Sequence, residues 1–259
     1  MKMLPALAMP FHDPDGRWFT HLERVMPQLK SLFERAYLNI TPPTQTAQPS
    51  AVQRLQCDPF FRLSFSQPGS QAGDHCMGAY QQAAQKCNVD QVVHLCYVDR
   101  LVFILQSEHS ATFAADLKAL APGQTPLLFT RSEAAWSAYP RNYFDCEMMT
   151  VRSGELLFGR SLDFCWCHLA ATPQQLRPTL PRIHSHDFGV QAELALLLKD
   201  QLTTRTVEWL AWEDPFLEGR HPLELKRERE SSLDETRKRL GYVIPIMKVL
   251  LQYSRSPDH

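Results

Sequence analysis

Apolar and polar positions follow two rhythms along this chain, and in order they predict strands and helices that take turns. Residues 4–10, LPALAMP, form a short apolar run closed by Pro10, the pattern of a strand buried on both faces of a mainly parallel sheet. A polar turn follows, His12-Asp13-Pro14-Asp15-Gly16. From Trp18 the apolar side chains fall at 18, 22, 25, 29, 32, 33 and 36, a helical spacing with one wide inward stripe. Tyr37 to Thr41 reads as the next strand, ended by Pro42-Pro43, so the chain opens with a right-handed βαβ half-unit.

The alternation continues with a short helix over 51–56, a strand over 61–66 and a loop over 67–73. A helix then starts at Asp74, whose carboxylate is placed to accept from free N–H groups of the first turn, and Met77, Tyr80, Ala84 and Cys87 line one side. A strand over 92–98 ends at Asp99-Arg100. Further on, the pattern predicts helices over 110–120, 143–156 and 187–199, strands over 126–130, 162–169 and 206–211, and a proline-rich loop over 172–181. A charged helix over 222–240 carries Asp234 and Glu235 four residues before Lys238 and Arg239, the spacing of an exposed helix. Leu233, Leu240 and Met247 are seven apart and suit packing on a neighbour, with Pro245 interrupting any continuous coil. Together these elements predict an α/β fold: a mainly parallel central sheet with helices on both faces, over residues 1–215, and a C-terminal helical arm over 216–259.

Charge narrows the partners. With 27 basic and 28 acidic side chains the formal net charge is −1, so no field is available for nucleic acid or an anionic membrane. No apolar run reaches the roughly 18 residues that cross a bilayer, and the first ten residues lack the features of a signal peptide, which predicts a cytoplasmic protein with no membrane span. The seven cysteines are odd in number and scattered through apolar stretches, and read as reduced, mostly buried thiols. Cys165-Trp166-Cys167-His168 and His184-Ser185-His186 lack the CxxC and HxxxH spacings of zinc sites; on a strand, Cys165 and Cys167 share one face and His168 looks the other way. No GxxxxGK[ST], GxGxxG or GxSxG occurs, which removes Gly-rich phosphate cradles and the hydrolase elbow.

In an open α/β sheet, ligands bind beyond the carboxyl ends of the strands. The residues there are His12, Asp13 and Asp15 after the first strand, Thr41 and Thr44 after the second, and Asp99 with Arg100 after the strand over 92–98. Later, Trp209-Leu210-Ala211-Trp212-Glu213-Asp214-Pro215 brings two carboxylates and an aromatic face to a strand end. Each has a plainer role as well. Asp13 and Asp15 are turn formers beside Pro14 and Gly16, Asp187 suits a helix cap, Trp212 suits a core, and Glu213-Asp214 suits a turn before Pro215.

The stretch Gly73-Asp74-His75-Cys76-Met77-Gly78-Ala79-Tyr80-Gln81-Gln82-Ala83-Ala84, followed by Val92 to Asp99, resembles the segment of GT-A-type glycosyltransferases in which a glycine-led helix precedes an apolar strand. In that family the strand ends in an Asp-any-Asp motif that binds a metal and the sugar-nucleotide diphosphate. Asp99 matches the second acidic residue, and Tyr97 stands in place of the first. The resemblance, closest to an uncharacterised bacterial group, covers roughly 1–130 as the nucleotide-binding part and weakens over 131–215, the acceptor side. It implies a nucleotide-sugar donor held by Asp13, Asp15, Gly73, Asp99, Arg100 and Trp212, with Asp99 as ligand to Mn or Mg. It also implies transfer to an acceptor with Asp187, Glu213 or Asp214 as base. The alternative is a non-catalytic protein of the same fold, or a homo-oligomer, docking through 222–253.

Overall fold

The structure, a computed structural model, describes residues 3–255; the outermost ends of the two expected segments, 1–2 and 256–259, lie outside the described residues. The chain runs β1 (Ala6–Phe11), α1 (Arg17–Leu32), β2 (Arg35–Ile40), α2 (Pro42–Ala47), α3 (Pro49–Cys57), β3 (Phe61–Phe65), α4 (Ala72–Lys86) and β4 (Val93–Cys96). It continues through α5 (Val98–Gln106), α6 (Ser110–Ala119), β5 (Leu127–Arg131), α7 (Glu133–Ala138), α8 (Arg141–Phe158), β6 (His168–Ala171) and α9 (Pro173–Thr179). It closes with α10 (Gly189–Leu197), β7 (Thr203–Val207), α11 (Asp214–Glu218), α12 (Pro222–Ser231) and α13 (Leu233–Tyr253). The strands form one seven-stranded sheet in the order β3-β2-β1-β4-β6-β5-β7, parallel except for β6, which runs antiparallel to both neighbours.

Alternate residues of the central strands feed two cores. Leu7, Met9 and Phe11 of β1 and Leu38 and Ile40 of β2 pack on the side of α1, α5 and α6. Ala6, Ala8, Tyr37, Val93 and Leu95 pack on the other, against Cys76, Ala79, Tyr80 and Ala83 of α4 and Val190 and Leu194 of α10. The expected α/β architecture with helices on both faces is therefore the observed one. α13 joins the second core through Ile246, Val249 and Leu250 and packs on α8 and α10.

Several local expectations shift. The strand over 92–98 stops at Cys96, because Val98 and the run from Leu101 to Leu105 form a helix buried nearly all round, α5. The strand over 162–169 shrinks to β6 because Asp163 turns inward to an ion pair and its Oδ1 accepts the Cys165 N–H at 3.2 Å, which makes 163–165 a turn. The strand over 206–211 is in fact Thr203–Val207, an edge strand with exposed threonines, and the apolar Trp209 and Leu210 beyond it dive into the core. The 172–181 loop holds α9, started by Pro173 and by the Gln175 side chain, whose oxygen accepts the Thr172 N–H at 2.9 Å. The helix over 222–240 is two helices broken at Ser232, whose hydroxyl accepts the Glu235 N–H at 3.2 Å and starts α13.

Gly154 of α8 shows how tightly the second core is set. A Cβ there would overlap the fully buried ring of Phe164. Gly154→Ala should therefore destabilise by about 1–3 kcal/mol through overpacking, despite a gain in helix propensity of at most about 1 kcal/mol. A fall in the urea midpoint with an unchanged m-value is the expected result; an unchanged or higher midpoint would show that Phe164 yields freely.

Candidate functional site

β1 is the strand at which the order reverses, with β2 on one side and β4 on the other, and the carboxyl ends of both open toward the same edge. After Cys96 the chain enters the first turn of α5, which carries Asp99 and Arg100. Because β6 is antiparallel, its incoming end delivers Cys165 and Cys167 to that edge too. After β7, Trp209 is anchored by its indole N–H to Asp116 at 2.8 Å, and Leu210 O accepts from the Tyr139 hydroxyl at 3.1 Å, so the segment ends with Glu213 and Asp214 beside α5. Tyr143 and Glu147 of α8 and Lys238, Arg239 and Tyr242 of α13 close the other side of a cavity of about 260 Å³.

Its electrostatics rest on two buried clusters. Arg100 donates from Nη1 to the Tyr139 hydroxyl at 2.7 Å and to Glu213 Oε2, with both charged side chains nearly buried. Burial pushes the Glu213 carboxyl up to about 8; Arg100 pulls against the shift, and Asp214 and Asp99 reinforce it. In the second cluster Arg131 forks onto Asp163 at 2.8 Å from both Nε and Nη2 and reaches Glu147 at 2.5 Å. The other oxygen of Glu147 accepts from Arg239 at 2.8 Å, and the Arg239 guanidinium lies 3.9 Å above the Tyr143 ring. Burial works to raise the Glu147 carboxyl, and Arg131 and Arg239 overcome it, holding it below the ordinary range.

The cavity gathers Asp99, Arg100, Glu213 and Asp214, four of the residues singled out from the sequence. The others stand elsewhere. Asp13 is buried, and its carboxylate accepts the Phe19 N–H at 2.8 Å in the first turn of α1. Asp15 is exposed in the same turn. Gly73 lies against the backbone of His186 and Asp187, where any Cβ would collide, and its N–H donates to His186 O at 2.8 Å. Asp187 accepts the Gly189 N–H at 2.9 Å at the start of α10 and does not line the cavity. Trp212 is buried beside Tyr143 and Leu225 and lines a neighbouring groove.

Sequence reasoning passed over Glu147, read Lys238 and Arg239 as an exposed face, and set Cys165 and Cys167 aside as core thiols. A carboxylate on the inward stripe of α8, among Tyr143, Cys146, Thr150 and Val151, was the signal that marked Glu147. A second depression, of about 650 Å³, lies over the ends of β1 to β3 and is lined by His12, Pro14, Pro42, Thr46, Ser70 and His75 among others. His12 Nδ1 is 2.9 Å from the Thr41 hydroxyl, and His75 Nδ1 is 2.6 Å from the Ser66 hydroxyl.

The residues present do not build the two-carboxylate grip on a divalent cation that the Asp-any-Asp motif supplies. Tyr97 is half-buried; its phenol accepts from Gln191 Nε2 at 3.0 Å, lies 3.6 Å from Cys76 Sγ and is held well above its ordinary pKa by loss of water, so it offers no oxyanion. Among the described residues Asp99 belongs to no cluster of three or more metal-ligand atoms. No helix of the described residues is long and apolar enough to cross a membrane.

No protein-family model matches the chain, and no curated protein matches it in sequence. Among solved structures it is similar to glucosyl-3-phosphoglycerate synthase from Mycobacterium tuberculosis in complex with uridine diphosphate, with a TM-score of 0.52 and 10% sequence identity, over 99% of this chain and 82% of that one. The likeness is one of fold, and it is the GT-A layout that the helix, strand and Asp99 resembled.

Proposed function

We propose that the chain binds a nucleoside diphosphate-sugar across the carboxyl edge of its sheet and transfers the sugar to an acceptor hydroxyl. The observation that carries this reading is the cavity over β4 and α5, where Asp99, Glu213 and Asp214 meet in a GT-A sheet at the place where such folds hold ligands. The nucleoside end takes the depression beside His12 and His75, and the diphosphate lies toward the opening of α5. The positive end of the α5 dipole, with Lys238 and Arg239 of α13, supplies its positive surroundings. Arg100 is held by Tyr139 and Glu213, so it positions Glu213 rather than forking onto phosphate. Asp99, with Tyr97 in place of the motif's other carboxylate, accepts hydrogen bonds from hydroxyls of the donor sugar. Glu213 takes the acceptor proton.

Uridine diphosphate, present in the similar solved structure, is the first nucleotide to test, followed by guanosine, adenosine and cytidine diphosphates and their sugar conjugates, each with and without Mn or Mg. A ligand at a hundred times its Kd should add about 2.7 kcal/mol of apparent stability, visible as a rise in Tm. Asp99→Ala should leave the free diphosphate's affinity within about twofold and weaken the sugar conjugate by about 10-fold or more, the loss of a hydrogen bond to a charged group. Flat melting curves with every nucleotide at millimolar concentration would overturn the proposal and favour the non-catalytic partner-binding alternative.

A further inference from the structure

β4 and β6 place a second, unrelated group of side chains on the sheet face opposite α4. His94 and Cys96 are two apart on β4 and share a face, and Cys96 is directly paired with His168 of β6. All three are fully buried, and one ligand-type atom from each lies within 4.8 Å of the others. His94 Nε2 and His168 Nδ1 are 2.7 Å apart. The rings around them are Phe33, Phe113 and Phe129 by His94, and Trp209 by His168.

The pair is poorly explained as a core hydrogen bond alone. One hydrogen on the line between the rings leaves an unmatched lone pair on one far nitrogen and an unmatched N–H on the other, and neither His94 Nδ1 nor His168 Nε2 has a partner. Each such orphan is costly in a dry core, and a buried unsatisfied group of this kind calls for an unseen ion or water.

We propose that His94, Cys96 and His168 form a copper(I) site, three-coordinate through two neutral imidazoles and one thiolate. Charge selects the ion. Copper(I) with one thiolate is neutral overall, whereas zinc(II) with the same donors leaves a net positive charge in a water-free core, a cost of several kcal/mol without a further partner. Softness points the same way, since thiolate and imidazole suit copper(I), which accepts three ligands, while structural zinc takes four. On binding, the Cys96 S–H bond gives way to a Cu–S bond and its proton goes to solvent; no electron moves. The ring that had donated takes its other tautomer, so both facing nitrogens bind copper and no lone pair is left unmatched. The remaining N–H groups sit among aromatic rings, whose faces are weak acceptors.

The test is refolding of the full-length chain from denaturant, without oxygen and with a phosphine reductant, in the presence of copper(I) or zinc(II), followed by desalting and metal analysis. A Cys57→Ser background removes the exposed thiol that would trap copper at the surface. The expected result is equimolar copper retained after desalting, a raised Tm, and an X-ray absorption first shell of two imidazole nitrogens and one sulfur. Cys96→Ala in that background should lose the copper while keeping the far-ultraviolet circular dichroism. Copper retained by Cys96→Ala, a first shell of sulfur alone, zinc retained in preference to copper, or no retained metal would each overturn the proposal. Should Cys96→Ala fail to refold, the absorption shell of the parent chain decides.

Discussion

Replacing Arg131 with methionine is expected to lower the folding free energy by about 3–5 kcal/mol, the range for removing one partner of a buried ion pair and leaving the other's charge in place. Arg131 ends β5 with its guanidinium almost fully buried, and it is the only cation bonded to Asp163 among the described residues. Methionine keeps the unbranched stem but gives up the guanidinium, whose carbon lies 3.6 Å from the Trp136 ring centre, so the loss is one of charge, hydrogen bonds and that ring contact more than of stem volume. For a chain of this size the loss corresponds to a drop in Tm of roughly 6–20 °C. Asp163→Asn added to the variant should recover part of it by removing the stranded charge, a coupling that a double-mutant cycle measures. A drop under about 1 kcal/mol would show that the cluster is not a buried ion pair in solution. The cluster also sets an acid limit. Glu147 has its carboxyl held below the ordinary glutamate range, so its contribution is full above that range and is lost as pH falls through the folded value.

Glu213→Gln is expected to reduce sugar transfer by roughly 10²–10⁴-fold, the usual worth of a positioned general base. Glutamine keeps the shape and a hydrogen bond to Arg100 but takes up no proton. Donor affinity, read by the same nucleotide melting shift, should stay within about threefold, since the base acts on the acceptor. The pH profile carries the sharper signature. The proposed base works only when deprotonated, and burial holds Glu213 up at about 8, so the parent chain's transfer rate should rise with pH through that value and level off above it. The variant's residual rate should lack that limb. A variant with undiminished rate, or a parent profile flat from pH 6 to 9, would remove Glu213 as the base and leave Asp214, beside it in the cavity wall, as the carboxylate to test next.

The element order and the α/β layering were readable along the chain, because helix and strand are marked by the local spacing of apolar residues. The stripe that starts at Trp18 and the run LPALAMP needed no distant partner to declare themselves, and α1 and β1 stand there, although α1 ends at Leu32 and residue 36, the last of the stripe, belongs to β2. The strand-end rule also led to Asp99, Glu213 and Asp214 from sequence position alone. What the sequence by itself determined, then, is a mainly parallel α/β sheet and a short roster of carboxylates at its carboxyl edge.

Tertiary structure alone decided which of those carboxylates meet, because contact between residues far apart in the chain leaves no local mark. Asp13 and Asp187 satisfy helix N–H groups, Gly73 makes room for a crossing backbone, and Trp212 fills a core beside the cavity. The reversal of β6 is equally invisible to periodicity, since a strand's apolar run reads the same in either direction. Yet that reversal brings Cys165 and Cys167 to the cavity and sets His168 opposite Cys96. The charged helix, whose spacing described an exposed surface, turns Arg239 inward because Glu147 and the ring of Tyr143 await it. Burial then gives Glu213 a proton affinity that no neighbouring residue in the sequence foretells: a carboxyl group shifts with its loss of water, and only the packed fold removes the water.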